Sequence, residues 1–571
     1  MKCPKCHQRV APFKTWVLWP GPTRECGNCH AHLRYAGFYL QAVLHFVIGV
    51  PIVFALGGMV IFSRTITLWQ AALIFLGILA VTAVILPWKF GRYEECERRG
   101  GWTKGLLLAV ITLISIVTLF FSWTNWWGAR KLSAALAMLR DKNEPTRFEE
   151  IVPGPVPDAD NAAAAPVFQE VFVSEKDSRL GKLEIPWKKI AGKPESGEST
   201  IHFVARFLNP DFKGDDQAAG ELVLKSLAPS APLLEEVAQA VRRPGVCWPL
   251  DYSKGFELSL PHLSAMANTS KVLQGRAQAE LAAGRPENAF QDVQTILALA
   301  RAAGSGPFLI SLLVESSISD RASQVINDGL ERHAWTDAQL ADLSSELSRI
   351  DLLARLSDGL RGERASLLQF DVSRTDLLTL QELPDTGTVR LQKKALRAAW
   401  AIWPAGWVNE DKAGYIGAIQ RYIDAVQQPK ELPSTLAEIE AARAGSSVWN
   451  KILNPLYYRA LPDLISVAKR IAATQTILRS LATACAVERY RMAHGRLPAT
   501  LEDLVPAFLP SIPTDPLTGK PLCYKPSESS SYLIYGTGWD QTDNAGSGVT
   551  AITGLSTKTM DQADWGVLVK F

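Results

Sequence analysis

Residues 268–303 read NTSKVLQGRAQAELAAGRPENAFQDVQTILALARAA. Two helical patterns meet here, Asn268–Ala283 and Pro286–Ala303, joined by Gly284-Arg285. Glycine just past one helix and proline at the start of the next is the asymmetry that helix ends favour. Ala277, Ala279, Ala282 and Ala289 leave room for two helices to approach closely. Outward from this pair, the pattern stays helical over about 220–494. Phe308–Leu330 reads as a further helix, and Thr336-x-x-Gln339 is a capping box opening the next. Residues 167–465 are therefore expected to form a mainly α domain.

Toward the N-terminus, residues 129–166 carry Pro145, Pro153, Pro155, Pro157 and Pro166 and read as a semi-rigid linker. Before it lie three runs free of Asp, Glu, Lys and Arg: about 36–62, 66–88 and 105–123. Runs of about 20 apolar residues are long enough to span a bilayer, so residues 36–128 are expected to hold three transmembrane helices. The N-terminal segment carries Lys2, Lys5, Arg9, Lys14, Arg24 and Arg34, and the second loop Lys89, Arg92, Arg98, Arg99 and Lys104. The positive-inside rule then sets the N-terminus in the cytoplasm and the C-terminal region outside it. Trp123, Trp126 and Trp127 suit an aromatic anchor at the exit. His45 falls at headgroup level, and Pro51 reads as a kink. The expected location is a bacterial cytoplasmic (inner) membrane, with the lipid bilayer as a partner.

Residues 1–35 hold Cys3-x2-Cys6 and Cys26-x2-Cys29, a spacing suited to a four-Cys zinc site. Each pair can aim two thiolates at one ion, and two pairs complete a tetrahedron. Gly27 reads as the residue that eases the second turn. About 30 residues cannot bury a useful core, so the metal would supply the folding energy. A rubredoxin-like iron site and a thiol redox pair are the alternatives. His7 and His30 are surplus to a closed four-Cys set, which would be structural. Cys3-Pro-Lys-Cys6, Cys26-Gly-Asn-Cys29 and the apolar runs that follow resemble a bacterial zinc ribbon joined to membrane helices.

At the other end, Ser466–His494 reads as a helix leading into Gly495-Arg496-Leu497-Pro498. Pro513-Thr514-Asp515-Pro516 follows, then strand-like Tyr532–Tyr535 and Trp565–Phe571. With Tyr490-Arg491 ahead of the His-Gly-Arg-Leu-Pro run, this order resembles the globular part of the type II secretion major pseudopilin. The resemblance covers about 470–571 and implies a small α+β module at 466–571, its helix presenting Ile471, Ile477, Leu478, Leu481 and Cys485. It departs in the helix, which is internal and bears Lys469, Arg470, Arg479, Glu488 and Arg489, so a processed filament subunit is excluded. In pseudopilins the last loop binds calcium. Asp540, Asp543, Asn544 and Asp564 are the matching candidates here, against plain turn chemistry. The whole arrangement resembles large membrane proteins of planctomycete and verrucomicrobial type. The 268–303 pair is similar to a tetratricopeptide unit, without a repeat at 34 residues.

Charge sets limits on partners. Residues 1–129 hold 12 Lys and Arg against 4 Asp and Glu, while the remainder holds 48 against 53. A mildly acidic body argues against nucleic-acid binding, which needs a basic footprint. The region after the linker has four histidines, His202, His262, His333 and His494, and no His-Glu-x-x-His or Gly-x-Ser-x-Gly motif. Asp215-Asp216 reads as a solvated loop. Cys247, Cys485 and Cys523 read as a single disulfide or as small buried hydrophobes, and Trp400, Trp403 and Trp407 as core. The fold expected is thus multi-domain: zinc ribbon, three spans, a mainly α extracytoplasmic domain and a pseudopilin-like end. The function expected is a membrane-anchored binding or scaffold protein bridging cytoplasm and periplasm, with envelope or secretion-related proteins as partners. The alternative is an envelope hydrolase whose site is assembled from distant residues of the helical domain.

Overall fold

A computed structural model of the protein describes residues 2–10, 24–36, 92–95, 101–152, 154–187, 198–369, 404–446, 454, 456–460, 463–527, 531–547, 549 and 563–570. The chain divides into two compact units: Met1–Arg130 with Pro404–Asn409, and Lys131–Trp403 with Glu410–Phe571.

In the first unit, β1 (Arg24–Glu25), β2 (His32–Ala36) and β3 (Arg92–Glu95) form an antiparallel sheet in that order. β3 pairs Glu95 with Leu33 and Arg92 with Ala36. The ribbon therefore draws its third strand from beyond the first two apolar runs. The long helix α1 (Gly101–Asp141) begins in this unit and ends in the second. Near Gly128 and Gly406 two backbones cross closely. A Cβ on either glycine would fall 1.9 Å from a backbone oxygen of the other segment.

The three-span expectation is corrected. Among the described residues no helix is long and apolar enough to cross a membrane. The third run does not end at Trp123. It continues as α1 to Asp141, through Arg130, Lys131 and Arg140. The membrane-anchored fold and the inner-membrane location with an extracytoplasmic domain lose their support with it. The first two runs, with His45 and Pro51, lie outside the described residues.

The second unit is mostly helical. Its helices are α2 (Pro166–Val173), α3 (Thr200–Leu208), α4 (Asp216–Leu227), α5 (Ala231–Val241), α6 (Pro261–Ala282), α7 (Pro286–Ala303), α8 (Leu309–Glu331), α9 (Asp337–Ser348), α10 (Leu352–Gln369), α11 (Ala405–Val426, whose first turn belongs to the first unit), α12 (Leu432–Ala444) and α13 (Leu464–His494). α7 packs on both α6 and α8. Gly284 takes φ +74° in the turn between α6 and α7, a conformation glycine adopts at no steric cost. Thr336 and Gln339 form the capping box of α9. Within the segment expected as a short helix and linker, Leu139, Phe148, Ala162 and Ala163 are buried. Glu144, just past α1, accepts from Arg361 Nε at 3.0 Å and from Arg364 Nη2 at 2.7 Å.

α13 is the axis of this unit. It packs on α8, α9 and α10, and on the C-terminal sheet β4 (Cys523–Pro526), β5 (Ser531–Gly536) and β6 (Trp565–Lys570), ordered β4-β5-β6 and antiparallel. Ile471, Ile477, Leu478, Leu481 and Cys485 are all buried. So are Thr474, Gln475, Thr476, Ser480 and Thr483. Polar groups enclosed in this way mostly find partners within the unit, although Ser480 Oγ has none among the described residues. Gln475 accepts the N–H of Leu352 at 2.7 Å and donates to the Ile350 carbonyl at 2.8 Å. Ser344 Oγ donates to the Ala482 carbonyl at 2.9 Å. On the other side, Tyr532 Oη donates to the Ala484 carbonyl at 3.3 Å. Helix and sheet thus share one core with the helices before them. Gly495 ends α13 at φ +69°.

Candidate metal centre and the remaining site candidates

The two Cys-x-x-Cys turns fold alike. Cys3 N–H donates to the Gln8 carbonyl and His7 N–H to the Cys3 carbonyl, at 2.9 and 3.0 Å. Cys26 N–H donates to the Ala31 carbonyl and His30 N–H to the Cys26 carbonyl, both at 2.9 Å. His7 and His30 hold the left-handed position that closes each turn, at φ 55° and 52°. Gly27, expected in that role, does not take a positive φ.

The four thiol sulfurs lie within 4.8 Å of one another. Cys3 Sγ is 3.7 Å from Cys29 Sγ, and Cys6 Sγ is 3.5 Å from Cys26 Sγ. A disulfide would need about 2.05 Å. Four thiolates on a tetrahedral ion with bonds of about 2.3 Å stand about 3.8 Å apart. The arrangement therefore fits a shared ion and not a pair of disulfides. Backbone N–H groups of Asn28 and Cys29 bring the Cys26 thiol down to about 6, and that of Gln8 lowers Cys6. Both effects favour the thiolate that a metal needs, while burial and the neighbouring thiols push Cys29 the other way, up to about 12. Beyond the cysteines, the core of the ribbon is Val10, Ala31 and Leu33. His7 and His30 stand outside the sulfur set, and His30 Nδ1 lies 3.1 Å from Glu25 Oε1 at the surface.

The C-terminal candidates behave differently. Among the described residues the carboxylates of Asp540, Asp543 and Asp564 do not converge as the four thiols do. Asp543 Oδ1 accepts from Tyr535 Oη at 3.0 Å and from Ala545 N–H at 2.8 Å. Asp540 Oδ1 accepts from Thr542 N–H at 3.0 Å, and Asp564 Oδ2 from Gly546 N–H at 2.7 Å. Asn544 N–H donates to Asp564 Oδ1 at 3.4 Å. These side chains build the turn itself.

The histidines are dispersed. His202 Nε2 meets Asp216 at 3.2 Å, and His333 Nδ1 meets buried Glu488 at 2.8 Å. His494 Nδ1 lies 3.0 Å from the Tyr490 carbonyl. His262 stacks on Trp248 and on Phe172 in a cluster of three rings, and burial takes it down to about 3. Asp215, read as part of a solvated loop, is the N-cap of α4 and accepts from Ala218 N–H. Cys247, Cys485 and Cys523 are free thiols, and Cys485 is wholly buried. Trp407 meets Phe120 edge-on at 5.7 Å, while Trp400 and Trp403 lie outside the described residues.

One cleft of about 430 Å³ adjoins a perturbed acid that sequence reading did not single out. Its lining includes Gly304, Gly306, Pro307, Arg355, Gly359 and Arg361. Burial raises the Glu315 carboxyl to about 7 beneath it, against the pull of Arg355. Arg355 also donates to the Gly304 carbonyl. A Cβ on Gly304 would fall 1.9 Å from Glu315 Oε2, so the glycine backbone seals the carboxyl from the cleft. The pair holds the 304–308 loop rather than presenting an acid to a substrate.

Comparison with family models, with curated proteins and with solved structures finds no match for this chain.

Proposed function

We propose that this protein is a zinc-stabilised binding or scaffold protein. Cys3, Cys6, Cys26 and Cys29 hold one zinc ion as a closed structural site, and the helical second unit supplies the binding surfaces. The observation that carries the metal reading is the convergence of four thiols at tetrahedral spacing. Zinc suits this donor set because thiolates are its preferred structural ligands, and four of them leave no coordination position for a substrate. The zinc would close a ribbon whose apolar core is too small to fold alone.

The binding reading is favoured over the hydrolase reading by the fate of the ionisable groups. The four histidines of the second unit contact a carboxylate, a carbonyl or aromatic rings, and the raised acid beside the 430 Å³ cleft, Glu315, is buried and held by Arg355. The mildly acidic body points to protein partners rather than nucleic acid.

Elemental analysis of the purified full-length chain tests the metal reading. One zinc per chain is expected, falling to background in the Cys26→Ser/Cys29→Ser variant. Unchanged zinc in that variant would place the metal elsewhere. Iron in the wild-type chain would select the rubredoxin-like alternative.

A further inference from the structure

A second cleft, of about 580 Å³, opens where the end of α5 and the segment after it face α7, with Glu346 of α9 at its edge. This is the size range of ligand sites. Its floor is apolar: Ala238, Val241, Ala298 and Ala302 are buried. Its walls are polar and unequal in charge. Arg242, Arg243 and Arg301 line it against the single carboxylate of Glu346. Gln291 and Gln294 expose their amides along the same face of α7 as Ala298 and Arg301.

One of the three cations is held in place by the protein. Arg243 Nη1 donates to the carbonyls of Asp158 and Asn161, both at 3.0 Å. Arg301 Nη1 stands 3.4 Å from Glu346 Oε1. A fixed guanidinium such as that of Arg243 loses less freedom when a ligand arrives, and a guanidinium can take a carboxylate through two parallel N–H donors. Side-chain amides supply both a donor and an acceptor, as a peptide backbone requires. The apolar floor suits the aliphatic stems between charges.

We propose that this cleft binds an acidic peptide segment. Arg242, Arg243 and Arg301 take its carboxylates, Gln291 and Gln294 its backbone, and the floor between α5 and α7 its apolar stems. The mild negative charge of the whole body makes this a local recognition device and not a general attraction. The proposal rests on the reading of the helical unit as a binding module. It is independent of the metal, so its failure leaves the zinc content untouched.

The test titrates the full-length protein with a fluorescent peptide of alternating Ala and Glu, and with its Lys counterpart. Arg242→Glu and Gln294→Glu alter opposite walls at exposed positions. Each should weaken the Glu peptide about tenfold or more, Arg242→Glu by removing a charge-assisted hydrogen bond and both by setting a like charge against the peptide. Arg140→Glu, at an exposed position outside this cleft, should leave binding unchanged, and the Lys peptide should not bind. The proposal is overturned by any of four results. These are no binding of the Glu peptide, unchanged affinity in both wall variants, equal weakening by Arg140→Glu, or full displacement by inorganic phosphate at the peptide's own concentration.

Discussion

Glu144→Gln should destabilise the second unit severely, and the loss should fade in acid. Glu144 lies just beyond α1, and its side chain is only 7% exposed. It receives Arg361 and Arg364, and the Arg364 side chain is fully enclosed. Burial opposes ionisation of this carboxyl, but the two guanidiniums overcome it and bring it from an ordinary 4.5 to about 2. At about 1.4 kcal/mol per pH unit, and discounted for solvent screening, that difference is about 2–3 kcal/mol of pH-linked stability. A depressed folded pKa contributes above the unfolded value and is lost as pH falls through the folded one. The contribution is therefore complete at neutral pH and declines between about 4.5 and 2. The glutamine also leaves Arg364 without its charged partner, which puts the total at about 3–5 kcal/mol. Urea unfolding of the full-length chain, followed by tryptophan fluorescence, measures it. A loss under about 1 kcal/mol at neutral pH would show that Glu144 does not anchor Arg361 and Arg364. So would a wild-type to variant gap that stays constant down to about pH 2.

Gln475→Ala should cost about 2–3 kcal/mol, because it strips the Leu352 N–H and the Ile350 carbonyl of a shared buried partner; the same urea titration reads it, and a neutral result would show that α13 is not the axis described. Gly362→Ala should displace the 304–308 loop, since a Cβ there would fall 1.4 Å from the Pro307 oxygen. Faster limited proteolysis near Ser305, with a loss of about 1–3 kcal/mol, is the expected readout.

Local signals survived in the structure where the chemistry was short-range. The α6–α7 turn, the Thr336–Gln339 box and the strand at Tyr532–Tyr535 each depend on a few neighbouring residues. The two cysteine turns were legible for the same reason. What escaped depends on partners distant in sequence. β3 joins the ribbon from residues 92–95, and no pattern at 24–36 announces it. The apolar stripe of α13 was legible, but Thr474, Gln475 and Ser480 are enclosed as well, because other helices and the sheet cover the helix from several sides. Asp215 looked like loop chemistry, but the same affinity for backbone N–H groups makes it a cap. The third apolar run ended at Trp123 as hydropathy, while its helix continues for 18 further residues to Asp141. The Arg-lined cleft arises only when α5, α7 and α9 are brought together.

X-ray absorption at the zinc edge of the intact protein reads the donor atoms of the four-cysteine centre. Four sulfurs at about 2.3 Å are expected around the ion, with no nitrogen or oxygen scatterer. A shell containing imidazole nitrogen at about 2.0–2.1 Å would bring His7 or His30 into the site. That result would contradict the closed four-thiolate centre.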